Sequence, residues 1–296
     1  MNSNHNCETP RSLQIATKDG RLLAATYYPP APSADAAVVL NSAFGVPRRF
    51  YDAFARHLAG RGLAVLTYDY RGMGESLAAG GGMEDWGRHD LPAALQCIAR
   101  LHPSVALTLV CHSVGGQILG LAENIEAVRA AVLVASQSGY WRHWQGLRKV
   151  RMALLWWVLM PALTSLFGRF PGRWFGTADA PAAVARVWAR WGRSPHYICD
   201  EQGRALRPYN GRVAFPIRWL SFTDDAVAPF EAVEALRPYY PGSAQEREHL
   251  APKDVGVGVI GHFGFFRREM PVSQWDAIAH WLAQSRPKAD ATRDRG

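Results

Sequence analysis

Val105-Ala106-Leu107-Thr108-Leu109-Val110-Cys111-His112-Ser113-Val114-Gly115-Gly116 decides how the rest of the chain is read. It starts as an apolar run and ends in a serine and two glycines. A run of this kind, bounded by glycine, predicts a strand buried on both faces, as in a parallel sheet. Residues 117–123 follow with a helix-like pattern, so Ser113 is expected on a sharp strand-to-helix turn.

That position has a chemical use. A serine hydroxyl is a weak nucleophile and must be held exposed near a base. The turn requires small residues two before and two after the serine, here Cys111 and Gly115. The usual pattern is Gly-x-Ser-x-Gly, and Cys111 departs from it with a side chain that is still small. The Val114 amide would lie at a helix N-terminus, where free N–H groups and the dipole favour negative charge. An ordinary strand–helix turn explains the same residues, so the rest of the chain must decide.

The 296 residues are 48% hydrophobic and 20% charged, which is the composition of a globular chain with a large core. Residues 1–10 are polar, with no apolar run, and give no expectation of a secretory signal. Cys7, Cys97, Cys111 and Cys199 are widely spaced, with no Cys-x-x-Cys. Neither a metal site nor a disulfide framework is expected, and a reducing cytoplasm fits best. The net charge of +8 is uneven. Residues 138–196 hold nine of the Lys and Arg, a single acid (Asp179) and seven of the eleven tryptophans; the remainder is balanced. Such a composition shift marks a separate structural unit.

Taken in order, residues 1–12 read as a loose tail. A hairpin follows, turning at Asp19-Gly20 and stopped by Pro29, Pro30 and Pro32. Residues 36–40, 63–68 and 131–135 read as buried strands, 47–60 as an amphipathic helix and 84–101 as mostly helical. Alternation of this kind predicts a doubly wound, mostly parallel sheet, whose ligands bind beyond the carboxyl ends of the strands. Both the Ser113 turn and the 41–45 loop fall there. The expected organisation is a core over 13–136, a helical lid over 137–211, more core over 212–285, and a tail over 286–296. Within the lid, residues 152–160 are apolar all round, but fall short of the ~20 needed to span a bilayer. After it come a strand over 217–222, a helix through 231–236, a strand near 246–250 and a last helix over 272–283.

A serine nucleophile needs a base and an orienter for that base. His262 lies between Gly261 and Phe263-Gly264 in a loop after the last strand, and Asp225 or its neighbour Asp224 follows the strand at 217–222. Each alone is as well explained by surface or structural duty. Together they give the chain order Ser…Asp…His.

At this point the sequence resembles the α/β-hydrolase superfamily, in its monoacylglycerol-lipase and serine-aminopeptidase-like branch. The matching segments are Asp69-Tyr70-Arg71-Gly72-Met73-Gly74-Glu75-Ser76, the Cys111–Gly115 turn, Asp225-Ala226-Val227-Ala228-Pro229 and Gly261-His262-Phe263-Gly264. The resemblance implies Ser113 as nucleophile, Asp225 as orienting acid and His262 as base, with Asp69 and Arg71 structural. The branch's His-Gly loop after the first buried strand is replaced by Asn41-Ser42-Ala43. The oxyanion donors implied are the amides of Val114 and of Ala43 or Phe44. The activity implied is hydrolysis of a carboxylic ester or thioester through an acyl-enzyme, with no cofactor and no metal. A non-catalytic binding protein, a peptidase and an acyltransferase on the same fold are the competing expectations.

The 137–211 segment alone speaks to substrate. An apolar, Trp-rich lid suits a hydrophobic acyl group, and Trp with Arg suits peripheral contact with the inner membrane surface. Packing of the tryptophans onto the sheet is the plainer explanation of the same residues. No nucleic-acid motif accompanies the basic and aromatic residues, so no nucleic-acid partner is expected.

Overall fold

Eight strands make one sheet in the order β1-β2-β4-β3-β5-β6-β7-β8. They are β1 (Arg11–Ala16), β2 (Leu22–Tyr28), β3 (Ala36–Asn41), β4 (Leu63–Tyr68), β5 (Ala106–His112), β6 (Val128–Val134), β7 (Ile217–Phe222) and β8 (Gln245–Leu250). This computed structural model describes residues 9–31, 33–76 and 81–285. Pro32, Cys7 and most of the two expected tails, over 1–8 and 286–296, lie outside the described residues. Arg11 and Ser12, read as tail, already belong to β1.

β2 runs antiparallel to both neighbours, and all pairs from β4 to β8 are parallel. Every residue of β3, β4 and β5 is buried, as continuous apolar runs between two helical layers must be. The Gln-Glu-Arg-Glu-His-Leu sequence of β8 suits its place at the sheet edge, where charge blocks further pairing. Helix α1 (Asp52–Gly60) buries Phe54, Ala55 and Leu58, while Pro92 sits in the first turn of α2 (Leu91–Leu101). Because β3 and β5 are neighbours while β4 lies on the far side of β3, the chain changes direction between β3 and β5. The crevice for ligands opens there.

The stretch after Ser113 differs from the helix expected. It forms two short 3-10 turns, Ser113–Gly116 and Leu119–Leu121. Three of its residues are glycines pressed against neighbours: a Cβ on Gly115 would lie 2.5 Å from the Asn41 carbonyl oxygen, on Gly116 2.4 Å from Ser136 Oγ, and on Gly120 1.8 Å from Asn210 Oδ1. Close packing is bought with low helix propensity.

The segment between β6 and β7 breaks the alternation. Its long helix α3 (Gly146–Phe167) contains a π turn over Leu155–Leu159, and α4 (Ala182–Arg193) packs beside it. The apolar run at 152–160 is therefore part of a 22-residue helix, long and apolar enough to cross a membrane by length and composition. Trp144, Trp156 and Trp191 are buried, as packing onto the sheet predicts, but Trp157 and Trp174 are 57% and 66% exposed. Helices α5 (Phe230–Leu236) and α6 (Val272–Ala283) complete the core.

Two buried ion pairs hold the loop after β4. The Asp69 carboxylate accepts from the Arg48 amide (2.6 Å), the Arg48 guanidinium and the Glu75 amide (3.0 Å). Arg71 donates to Asp90 from Nε (2.7 Å) and from its backbone (2.8 Å). Removing one partner of such a pair strands the other charge. Asp69→Ala should lower the urea unfolding free energy by about 3–5 kcal/mol; a loss under ~1 kcal/mol would show the loop to be held by other contacts.

Candidate active site

Ser113 directly follows β5 with φ +52°, in the left-handed region that costs a non-glycine residue about 1–2 kcal/mol. The cost is borne because the flanks allow nothing else. Asn41 at the end of β3 pairs with Cys111 at the end of β5. Tyr68 donates to Asn41 Oδ1 at 2.9 Å, and Asn41 Nδ2 donates to the Gly115 carbonyl at 3.3 Å. With the Asn41 carbonyl against Gly115, only glycine fits two residues after the serine. Cys111 fits two before it, its thiol pushed up by burial and so kept unreactive.

Asp225 and His262 arrive from the loops after β7 and β8. His262 Nδ1 lies 2.8 Å from Asp225 Oδ2, and both residues are buried. The other Asp225 oxygen accepts the amides of Val227 (2.8 Å) and Ala228 (2.9 Å). Burial raises this carboxyl, but the His262 charge and hydrogen bond and the two amides outweigh burial, so it sits below its ordinary value. Of the two acids left open by the sequence, Asp225 is the one that meets the His262 ring. Asp224 is exposed and accepts the Ile260 amide at 2.8 Å, pinning the loop that carries the histidine.

The Ser113 hydroxyl donates to Gln137 Oε1 at 3.5 Å. Ser113 and His262 line one cavity of about 160 Å³, walled mainly by Phe44, Leu155, Met160, Phe170, Trp188 and Val227. The walls from Leu155 to Trp188 belong to the inserted segment. Trp188 lies 4.3 Å from the Phe44 ring, centroid to centroid.

Sequence reasoning missed His112, although it stands beside the serine. Its Nε2 faces the His262 carbonyl oxygen at 2.8 Å and its Nδ1 faces the Tyr51 hydroxyl at 2.9 Å. A carbonyl only accepts, so Nε2 carries the proton and Nδ1 accepts from Tyr51. The Tyr51 oxygen in turn accepts the Ala43 amide at 2.9 Å. One chain of hydrogen bonds thus ties the 41–45 loop, the serine's neighbour and the His262 backbone. The Ala43 N–H, one of the two oxyanion donors the sequence left open, is thus engaged by Tyr51.

A family model described as serine aminopeptidase, S33, matches residues 32–202, more than half of the chain. The chain belongs to this family of α/β-hydrolases. The match takes in Ser113 and the 41–45 loop but ends before Asp225 and His262. Among solved structures, the fold is similar to the Pyrococcus furiosus esterase Pf2001 (TM-score 0.60, 15% identity, covering 93% of this chain and 92% of that one). It is also similar to a thermostable carboxyl esterase from Bacillus coagulans in complex with glycerol (0.63, 13%, covering 94% and 99%) and to a lipase in open form (0.66, 14%, covering 94% and 99%). No curated protein matches the sequence.

In this S33 chain, burial and repulsion from His262 push the His112 pKa down to about 3. An unfolded histidine takes up its proton below about pH 6.5. Between those values the unfolded chain binds more protons, so stability falls on acidification by about 1.4 kcal/mol per pH unit from this group. His112→Gln keeps one donor and one acceptor but does not titrate. It should flatten the pH dependence of urea stability between pH ~6.5 and ~4, and an unchanged slope would assign the acid sensitivity to other groups.

Proposed function

We propose that this protein is a serine hydrolase that cleaves a carboxylic ester or thioester of a hydrophobic acyl group. The observation that carries this reading is the meeting of a strained Ser113 with the His262–Asp225 pair on one apolar cavity. The esterases and the lipase of similar fold support it.

In this reading Asp225, low in pKa, holds the His262 Nδ1 proton and leaves Nε2 as the base. Ser113 turns from Gln137 to His262, loses its proton and attacks the carbonyl carbon. Charge on the carbonyl oxygen is met by the amides of Val114 and Phe44, each such donor being worth roughly 3 kcal/mol. His262 then protonates the leaving oxygen or sulfur, and water releases the acyl group by the same steps in reverse. The acyl chain lies among Leu155, Met160, Phe170 and Trp188, so the inserted segment acts as a lid. An aminopeptidase would need an anion for the substrate's free amine, and no carboxylate is among the described residues lining this cavity other than through His262.

The same proposal includes peripheral attachment at the inner membrane surface. Helix α3 is only 17% buried over its most apolar window. Leu147, Val150, Trp157 and Leu166 of that helix, with Trp174 beyond it, are exposed among Arg148, Lys149, Arg151, Arg169 and Arg173. Trp156, Met160 and Thr164 pack inward, so the helix is fitted to lie in the interface rather than to span it. Phe175 is both exposed and part of the cavity wall, which makes the surface continuous with the site. Its chemistry is that of an anionic lipid surface.

A fluorophosphonate probe should label wild type and not Ser113→Ala, with p-nitrophenyl butyrate and octanoate turnover lost in parallel. Asp225→Asn should lower kcat by about 10⁴-fold, as the loss of the orienting carboxylate does in serine proteases. A folded wild type that takes no label, or a Ser113→Ala that still does, overturns the catalytic reading. Wild type should also sediment with phosphatidylcholine vesicles containing phosphatidylglycerol, and Trp157→Glu combined with Leu166→Glu should abolish this. Undiminished sedimentation would remove the membrane from the proposal.

A further inference from the structure

A larger hollow of about 480 Å³ adjoins the catalytic cavity and shares Thr177 and Phe263 with it. Its walls come from the two segments that flank the reacting centre. Gly45 and Val46 follow Phe44, and Phe263 and Arg267 follow His262; the inserted segment closes the far side with residues 173 and 176–179. Unlike the cavity, this hollow is basic. Arg49, Arg173 and Arg267 line it against a single acid, Asp179.

The acid is already satisfied. Asp179 pairs with Arg173 at 3.0 Å and with Arg169 at 3.3 Å. Arg49 and Arg267 have no carboxylate within ion-pair range among the described residues, and both recur in a second hollow behind Phe50, with Arg268, Asp52 and Glu269. Asp52 there is paired with Arg56 at 2.9 Å. Arg49 and Arg267 thus stand exposed on the wall of the larger hollow, where the one acid is already taken up by Arg173 and Arg169. A concave surface with this excess of positive charge attracts anions.

We propose that this hollow binds the phosphate of a substrate's leaving group, with Arg49 and Arg267 as its principal contacts and Arg173 at its rim. The inference rests on the hydrolase reading and deepens it to a class: acyl esters or thioesters whose alcohol or thiol carries a phosphate. The apolar cavity takes the acyl chain. The leaving atom, protonated by His262, points past Phe263 toward the arginines. Guanidinium suits phosphate because its fork gives paired, charge-assisted hydrogen bonds. A basic cleft with apolar walls also concentrates anions before contact.

Two matched pairs test the class and separate its two sources. The first is 1-octanoylglycerol against 1-octanoylglycerol 3-phosphate. The second is octanoyl-N-acetylcysteamine against octanoyl-coenzyme A. Wild type should favour the phosphorylated member of at least one pair in kcat/KM, and the favoured pair identifies a glycerophosphate ester or a coenzyme A thioester. In the double variant Arg49→Ala, Arg267→Ala the ratio of phosphorylated to neutral kcat/KM should fall by about tenfold or more, chiefly through KM; Arg49→Lys, Arg267→Lys should recover part of it. Calorimetric binding of 1-O-octylglycerol and its 3-phosphate, ethers that cannot be cleaved, is measured on the same proteins. Arginine-dependent preference for the phosphorylated ether supports the site even if no ester is turned over, in which case the hydrolase reading alone falls. Equal binding of the two ethers to wild type together with no preference for octanoyl-coenzyme A, or a preference that survives the double alanine variant, overturns the site even in an active enzyme.

Discussion

The contact between the end of β3 and the turn after β5 is the constraint on which the site depends. The Asn41 carbonyl lies where a Cβ of residue 115 would be, so residue 115 is glycine and the backbone can close tightly around Ser113. That closeness forces Ser113 into its left-handed conformation, and Asn41 and Tyr68 hold it there. Strain of this kind survives only where the surroundings determine it. The same β3–β5 register sets the 41–45 loop beside the serine, so Ser113 and the Phe44 amide are positioned by one strand pair.

A second constraint fixes the parts against each other. His112 is neutral, donates to the His262 carbonyl and accepts from Tyr51, whose oxygen receives the Ala43 amide. A protonated His112 would leave the Tyr51 proton facing another proton and break the chain. Burial that keeps the imidazole neutral is therefore what keeps the 262 loop, the 41–45 loop and the serine in one frame. The Asp224 contact to the Ile260 amide holds that loop from its other end. His262 is located by its backbone on one side and by Asp225 through its ring on the other.

Much of this was legible in the sequence because it follows from short-range rules. Unbroken apolar runs give β3, β4 and β5; the Ser113 turn and the order of serine, acid and histidine follow from spacing at strand ends. What escaped depends on long-range packing. Residues 117–123 have a helical pattern, yet Gly116 and Gly120 are there to let Ser136 and Asn210 approach, and the helix gives way. Whether Ala43 or Phe44 keeps a free amide turns on Tyr51, eight residues along the chain and folded back over the loop. His112 looked like a spacer because nothing local says that a tyrosine and a carbonyl 150 residues away will meet it.

Trp188 of the inserted segment lines the cavity that holds Ser113 and His262, and Trp156 packs against Trp188 with ring centroids 4.9 Å apart. Covering the cavity with a long helix leaves that helix a second face, and here the face stays apolar: Leu147, Val150, Trp157 and Leu166 are all exposed. A chain selected for solubility alone would place charges at those positions, as it does on β8. These residues lie next to cations and join the cavity wall through Phe175, which is the arrangement the proposed contact with a lipid surface requires. The asymmetry repeats within the site, apolar on the side of α3 and basic on the side of Arg49 and Arg267. An amphiphile has the same two ends in the same order, and it is the one kind of molecule that the proposed acyl cavity and the proposed phosphate site together call for.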